Sequence, residues 1–215
     1  MKRNFYLGTL LWVFFAFTIP AKAQTQATNY QEPVIVLGDK EKTEITNRIK
    51  TMLDNFLYNL SIIGSKDKAY TVEVKDKIIT ATLRLFVNRG EPYQDIYSNW
   101  VKAPHMQISS LRNGVETKVN RPIKEYLNNL KNINYKKVTI TRSETIYLSN
   151  LYWVDNHYEA VATYLQYFTG EKEDGLKYSD VTKKSIRIIV EVYQDEEKMD
   201  VIVRFSDIDV IETKR

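Results

Sequence analysis

The two histidines of this chain are the first residues to consider for acid–base or metal chemistry. His157 follows Asp155 and Asn156 between two predicted strands, and His105 follows Pro104 in a predicted loop. An Asp close to a His is also usual in solvated turns, because Asp and Asn form local hydrogen bonds there. The pattern therefore favours a turn over a catalytic pair. Two histidines without a carboxylate cluster predict no metal site.

Two acids near the C-terminus are the next candidates, because they continue the apolar face of a predicted strand. That face consists of Met199, Val201, Val203 and Phe205. If the same parity continues, Asp207 and Asp209 lie on the inward face, and Asp207 is a candidate acid–base residue. If a β-bulge shifts the parity, Ile208 and Val210 are buried and both acids face solvent. The bulge is favoured, because an unpaired buried carboxylate is costly.

The remaining short motifs predict no cofactor. The acidic segment from Glu171 to Gly175 lacks the alternating ligand spacing of a calcium loop and is typical of a solvated hairpin. With 7 glycines in the whole chain, we find neither a Gly-rich phosphate loop nor a serine nucleophile elbow. These patterns favour a binding protein over an enzyme.

The N-terminus predicts a cleavable secretory signal over residues 1–23. Lys2 and Arg3 precede an apolar run from Leu7 to Ile19, which is shorter than the ~20 residues that span a bilayer. Ala21 to Ala23 supply the small residues that precede cleavage. An uncleaved anchor is the alternative. Since the chain has no cysteine for a lipid anchor, we expect a periplasmic or secreted protein with no stable membrane anchor after cleavage.

Composition sets the size and class of the mature protein. Removal of the signal takes away Lys2, Arg3 and Lys22 but no acid, so that the formal charge falls from +4 to almost zero. A nearly neutral exported protein is not expected to bind nucleic acid. Residues 24–42 are polar and predict a flexible tether. Residues 43–215 predict one α+β domain, because 43% hydrophobic residues suffice for a core.

The first half of that domain has the periodicity of amphipathic helices. Apolar residues at steps of three and four predict a helix from Thr43 to Ile63, capped by Thr43 and ended by Gly64. A second helix is predicted from a cap at Asp76 to Val87. A third is predicted from Arg121–Pro122 to Asn132, because proline fits the first turn of a helix.

The second half changes to a period of two, which is typical of strands. The predicted strands are residues 138–149, Tyr158–Phe168, Ile186–Val192 and Met199–Phe205, and Asp195–Lys198 is the turn between the last two. A meander with one apolar face must cover that face with the helices. The predicted architecture is therefore α+β, with three N-terminal helices packed against a strongly curved antiparallel sheet of about four long strands.

This order of elements, with the segment Arg121-Pro-Ile-Lys-Glu-Tyr-Leu127 leading into long strands, resembles the NTF2-like superfamily over about residues 43–212. Such folds are similar to cystatins in bending a sheet around the first helix, and the resemblance implies a half-cone. The superfamily includes isomerases, dehydratases, hydrolases, transport adaptors and domains that only bind. The resemblance alone therefore does not select a function.

The resemblance also implies where a ligand would bind. Enzymes of this group place an Asp or His acid–base residue and a Tyr or Asp oxyanion donor in a deep cone pocket. The corresponding pocket candidates here are Tyr58, Tyr164 and Asp207. Tyr126 and Tyr167 are further phenols that are expected to point inward.

Aromatic residues in adjacent predicted strands suggest a second kind of surface. They are Tyr147, Tyr152, Trp153, Tyr158, Tyr164 and Tyr167. Alternation places some of them on the face away from the helices, where Tyr and Trp favour protein binding. The alternative is that they close the cone and pack its rim.

The sequence therefore leads to two functional hypotheses. The first is an exported non-enzymatic module that binds another protein or its own copy through Trp153, Tyr147, Tyr158 and Tyr167. The second is a protein that binds a small apolar ligand, or a cofactor-independent isomerase or hydrolase, acting through the cone pocket. A deep cavity with convergent polar groups would favour the second.

Overall fold

The computed structural model describes residues 36–112, 114–195 and 198–214. The predicted signal peptide and most of the predicted tether lie outside these residues. Among the described residues, no helix combines the length and the apolar character needed to cross a membrane.

The first helix, α1 (Asp39–Gly64), has the apolar face that its sequence predicts. Ile49, Leu53 and Phe56 on this face are almost completely buried. The helix ends at Gly64 as predicted, but it begins before Thr43, with Gly38 as its N-cap. Thr43 is therefore inside the helix, where its hydroxyl donates to the carbonyl oxygen of Asp39 at 2.8 Å.

The other two helices have different ends from those predicted. Helix α2 (Val72–Leu83) is capped by Thr71, whose hydroxyl accepts a hydrogen bond from the backbone N–H of Val74. The predicted cap at Asp76 is wrong, because Thr71 already satisfies the first turn. Helix α3 (Ile123–Leu130) is shorter than predicted, since Arg121 and Pro122 belong to the preceding strand.

In the part of the chain that the structure describes, ten strands form two sheets. Strands β1 (Tyr93–Gln94) and β2 (Trp100–Val101) form a small ribbon. The main sheet contains β3 (His105–Arg112), β4 (Val115–Pro122), β5 (Lys137–Arg142), β6 (Tyr147–Leu148), β7 (Tyr152–Val154), β8 (His157–Glu171), β9 (Lys177–Asp195) and β10 (Lys198–Lys214). Its order is β4-β3-β10-β9-β8-β5, with β6 and β7 also paired to β8. Strands β10 and β3 are parallel where Ile208 meets Met106, and the other pairs are antiparallel.

The predicted four-stranded antiparallel sheet is therefore wrong. The four predicted strands correspond to parts of the main sheet, but that sheet has eight strands and is mixed. The missing hairpin is β3 and β4, which precedes α3. Most of β4 is exposed, so it carries no alternating apolar face from which a strand could be predicted. Local periodicity also could not predict where this hairpin lies in the sheet, because β3 pairs with β10, about a hundred residues later in the chain.

The two faces of the main sheet differ in what covers them. We call the face that carries the buried Ala160, Ala162, Ile186 and Ile188 the inner face, and its opposite the outer face. The core lies between the inner face and the helices. In it Phe56 of α1, Phe86 and Phe205 of β10 pack edge to face with ring centroids 5.5 to 6.1 Å apart.

Strand β10 contains the bulge that its sequence favours. Its register with β9 shifts between Phe205 and Ile208, and Ile208 and Val210 are buried. The bulge prediction is confirmed. Asp207 and Asp209 consequently lie on the outer face, where water and polar partners stabilise them.

Candidate ligand pocket

A cavity of about 370 Å³ lies on the inner face beside α3. The chain just after α3 and strands β3, β8 and β9 also line it. Its lining residues are Ile108, Ser109, Tyr126, Asn129, Leu130, Ile133, Tyr135, Gln166, Phe168, Tyr178, Asp180, Thr182 and Lys184. Strand alternation explains the β9 members, because Asp180, Thr182 and Lys184 share the parity of the buried Ile186.

Aromatic rings form one wall of this pocket. Phe168 packs edge to face against Tyr135 at 5.7 Å and against Tyr178 at 6.0 Å, measured between ring centroids. Gly170 permits this arrangement, since a Cβ there would lie 2.6 Å from a ring carbon of Tyr135. The wall is therefore apolar, and its rings are packed too closely to accommodate an added side chain at Gly170.

Lys184 is the main polar group of the pocket. It is only 5% exposed, and its Nζ donates a hydrogen bond of 3.1 Å to the carbonyl oxygen of Gln107. The sulfur of Met106 lies 3.7 Å from the same nitrogen. Among the described residues, no carboxylate forms an ion pair with Lys184. Burial lowers the pKa of Lys184 to about 8, against the opposing influence of Asp180 and Asp209.

Other polar groups converge on the same space. Gln166 is 7% exposed, and its buried Oε1 has no hydrogen-bond partner among the described residues. Burial, and secondarily the charge of Asp180, raises the pKa of Tyr126 well above its usual range. Its hydroxyl is therefore protonated at neutral pH and available as a donor. The pocket thus combines apolar walls with an ammonium, an amide and a phenol.

Only one of the three predicted pocket candidates lies near this cavity. Tyr164 is buried on the inner face, two positions from Gln166, and its hydroxyl forms no hydrogen bond within the described part of the chain. Burial, reinforced by Tyr126, raises its pKa far above the usual value. Tyr58 is instead 63% exposed on α1, in a groove shared with Ser61.

Asp207, the third candidate, faces away from the pocket and binds His105. Its Oδ1 accepts the backbone N–H of His105 at 3.0 Å and lies 2.9 Å from the ring Nδ1. The ring Nε2 lies 2.9 Å from Oδ1 of Asp209. Both ring nitrogens are therefore occupied, and the arrangement orients His105 without leaving a nitrogen free for acid–base chemistry.

His157 also lies on the outer face, in a polar network that lines the same cavity as Asp207. Its Nε2 is 3.1 Å from Oε1 of Glu159, which also pairs with Arg187. Burial raises the pKa of Glu159, but hydrogen bonds from Arg187 and His157 outweigh that effect and lower it overall. Asp155 and Asn156 form the turn between β7 and β8, so the turn prediction for this segment is confirmed.

The predicted aromatic surface divides between the two faces. Tyr147 is 71% exposed and Tyr167 is partly exposed, both on the outer face. Tyr158 is buried on the inner face and packs against Trp153, with ring centroids 5.0 Å apart. Two of the four predicted binding residues are thus available to a partner, and two pack inside the fold.

No protein-family model matches this chain, and no curated protein matches it. The resemblance to the NTF2-like superfamily therefore stays a prediction.

Sequence reasoning missed Lys184, Gln166 and Asp180. A usable signal was present, because Lys184 continues the parity of Ile186 and Ile188 towards the start of β9. An inward lysine on a strand with a buried face is costly unless it has a partner or a function. The strand was predicted to begin at Ile186, and this start excluded Asp180, Thr182 and Lys184, which line the pocket from β9.

Proposed function

We propose that this chain binds a small amphipathic molecule in the inner pocket. The observation that carries the proposal is Lys184, a buried ammonium that lines a cavity with an aromatic wall and forms no ion pair with a carboxylate of the described residues. Buried charges are normally paired, so a polar ligand group beside Lys184 would supply the missing interaction.

The size of the pocket supports the same function. Its volume of about 370 Å³ lies near the lower end of the range for small-molecule sites, which is roughly 300 to 1,000 Å³. Leu130, Ile133 and Phe168 supply apolar contact, and Gln166 and Lys184 are among the polar groups that can orient a ligand. Apolar walls combined with polar groups that orient the ligand are typical of small-molecule sites.

Asn129 offers a way to block the pocket without disturbing the core. It is an exposed residue of α3 that lines the cavity, and the neighbouring Asn128 is equally exposed but does not line it. We expect Asn129→Trp to abolish the binding of phenylpropanol, measured by calorimetry, and Asn128→Trp to leave it unchanged. If Asn129→Trp and Asn128→Trp bind phenylpropanol with the same Kd, the proposal is contradicted.

We propose as a second function that two copies of the chain associate through the outer face. This face carries exposed apolar side chains on neighbouring strands, among them Tyr147, Tyr152, Leu165 and Tyr167. No helix among the described residues covers them, since α1 and α3 pack on the inner face. Exposed Tyr and Leu in one patch are typical of a protein interface.

We also propose that the protein is exported. The support is the order of charge, apolar run and small residues in residues 1–23. Expression in a bacterial host followed by mass spectrometry should give a soluble envelope or medium fraction that begins at Gln24. Recovery of the intact chain from the cytoplasm would contradict export.

A further inference from the structure

We propose that the ligand of the inner pocket is a monocarboxylate whose carboxylate pairs with the Nζ of Lys184. This inference rests on the proposed binding function and adds the chemical class of the ligand.

The first support is the set of partners that Lys184 has in the structure. An ammonium group has three donors, and here they meet one carbonyl oxygen, from Gln107, and the weak acceptor sulfur of Met106. At least one donor remains for a ligand. A carboxylate is the strongest complement, because it supplies both the opposite charge and an acceptor.

The second support is the nature of the groups that share the pocket. The Tyr126 hydroxyl is a donor, and the Gln166 amide can present its NH₂ or its oxygen by rotating about its last torsion. A carboxylate has two oxygens with about four acceptor positions, so it can bind Lys184 and one of these donors together. An alcohol has a single oxygen and no charge, so it can form only some of these interactions.

Asp180 sets a limit on the charge of the ligand. It lines the pocket on the same face of β9 as Lys184 but is less buried, and its hydrogen-bond neighbour there is Thr182. A second carboxylate on the ligand would meet the negative charge of Asp180. The pocket therefore favours monocarboxylates over dicarboxylates.

Binding of a carboxylate must also be coupled to protonation of Lys184. The titratable groups around Lys184 are Asp180 and Tyr178 on its own strand, Tyr164 directly opposite on β8, Tyr126 and Tyr135 on and just after α3, and Asp209 on β10. The pocket residues of β3 and β8 are uncharged. Because Lys184 has a pKa of about 8, it is largely protonated at neutral pH and loses its charge in mildly alkaline solution. Affinity for a carboxylate should therefore fall as pH rises through this value.

The test compares phenylpropanoate with phenylpropanol, which differ in the charged group, by calorimetry on the full chain. Between about pH 7 and pH 9.5, we expect the Kd of phenylpropanoate to rise at least tenfold and that of phenylpropanol to change less than twofold. Phenylpropanoate should also bind more tightly than the dicarboxylate phenylsuccinate at neutral pH.

A pair of lysine variants isolates the group responsible. Lys184→Met should raise the Kd of phenylpropanoate at least tenfold and change the Kd of phenylpropanol less than about twofold. Methionine replaces the buried charge with a side chain of similar length. Lys183→Met removes the neighbouring lysine of the outer face and should change neither Kd.

The outcomes separate this inference from the function on which it rests. If both probes bind with equal, pH-independent affinity and Lys184→Met changes neither, the carboxylate inference is overturned while pocket binding stands. If neither probe binds, or if Asn129→Trp blocks neither, the pocket function fails and the inference fails with it.

Discussion

The Nζ of Lys184 on β9 donates to the carbonyl oxygen of Gln107 on β3 at 3.1 Å, across the intervening strand β10. This contact connects the centre of the sheet with a strand that sequence periodicity did not reveal. It also fixes the lysine within the pocket, so that the proposed binding and the stability of the fold would depend on the same side chain.

The pH dependence of stability should show the buried state of Lys184. Its pKa of about 8 in the folded protein lies below the unfolded value of about 10.4, so the unfolded chain binds more protons between these values. Stability from this group therefore rises with pH across that window, by about 3 kcal/mol. Urea denaturation should show this rise in the wild type and its loss in Lys184→Met. If the free energy of unfolding changes with pH in the same way in both proteins, the lowered pKa of Lys184 is contradicted.

The outer-face network around Glu159 should stabilise the fold above acidic pH. Glu159→Gln leaves Arg187 and His157 without their charged partner, and we expect the free energy of unfolding at neutral pH to fall by about 1 to 3 kcal/mol. Because the folded pKa of Glu159 is lowered, the difference should be complete above about pH 4.3 and shrink as pH falls further.

The matched control for this network is Glu191→Gln. Glu191 lies on the neighbouring strand β9, and within the described residues its carboxylate accepts an exposed hydrogen bond from Tyr193, at 3.3 Å. We expect a change below about 0.5 kcal/mol. A loss as large as that of Glu159→Gln would show that general surface charge, and not the network, explains the effect.

Gly170 should be intolerant of a side chain because of Tyr135. Gly170→Ala places a Cβ against the ring, and we expect a loss of about 1 to 3 kcal/mol in the free energy of unfolding, measured by denaturant titration. The loss should become much smaller in a Tyr135→Ala background, since the clash is then absent. Equal losses in both backgrounds would point to strain in the strand itself.

Association through the outer face should be visible in the mass of the protein in solution. Light scattering across concentration is expected to show a dimer that Tyr147→Ser with Tyr167→Ser converts to a monomer. Tyr58→Ser removes an exposed tyrosine from α1 and should leave the dimer intact. A monomer at every concentration in the wild type would exclude self-association.

The sequence predicted the parts of the fold that local periodicity encodes. The apolar face of α1 and the long strands β8, β9 and β10 follow directly from spacing, and the bulge at Asp207 followed from the cost of a buried acid. The strand β4 was not predicted, because an exposed edge strand needs no apolar alternation. The omission of β4 and of its partner β3, which pairs parallel to β10, led to the wrong sheet.

The candidate site was less accessible to sequence reasoning for a related reason. Tyr164 was predicted correctly to lie in the interior, but Lys184 lies before Ile186, where the predicted strand began. Its burial depends on a contact with Gln107, which lies 77 residues earlier in the chain. Asp207 would face the pocket only if the alternation of the strand continued past Phe205 without the bulge.

The most direct test of the central claim is to locate phenylpropanol on the protein by NMR. Isotope-filtered nuclear Overhauser spectra of the methyl-labelled chain should connect its aromatic protons with the methyl groups of Ile108, Leu130 and Ile133, which line the inner pocket. Contacts with Leu165 on the outer face, and none with those three residues, would contradict the account.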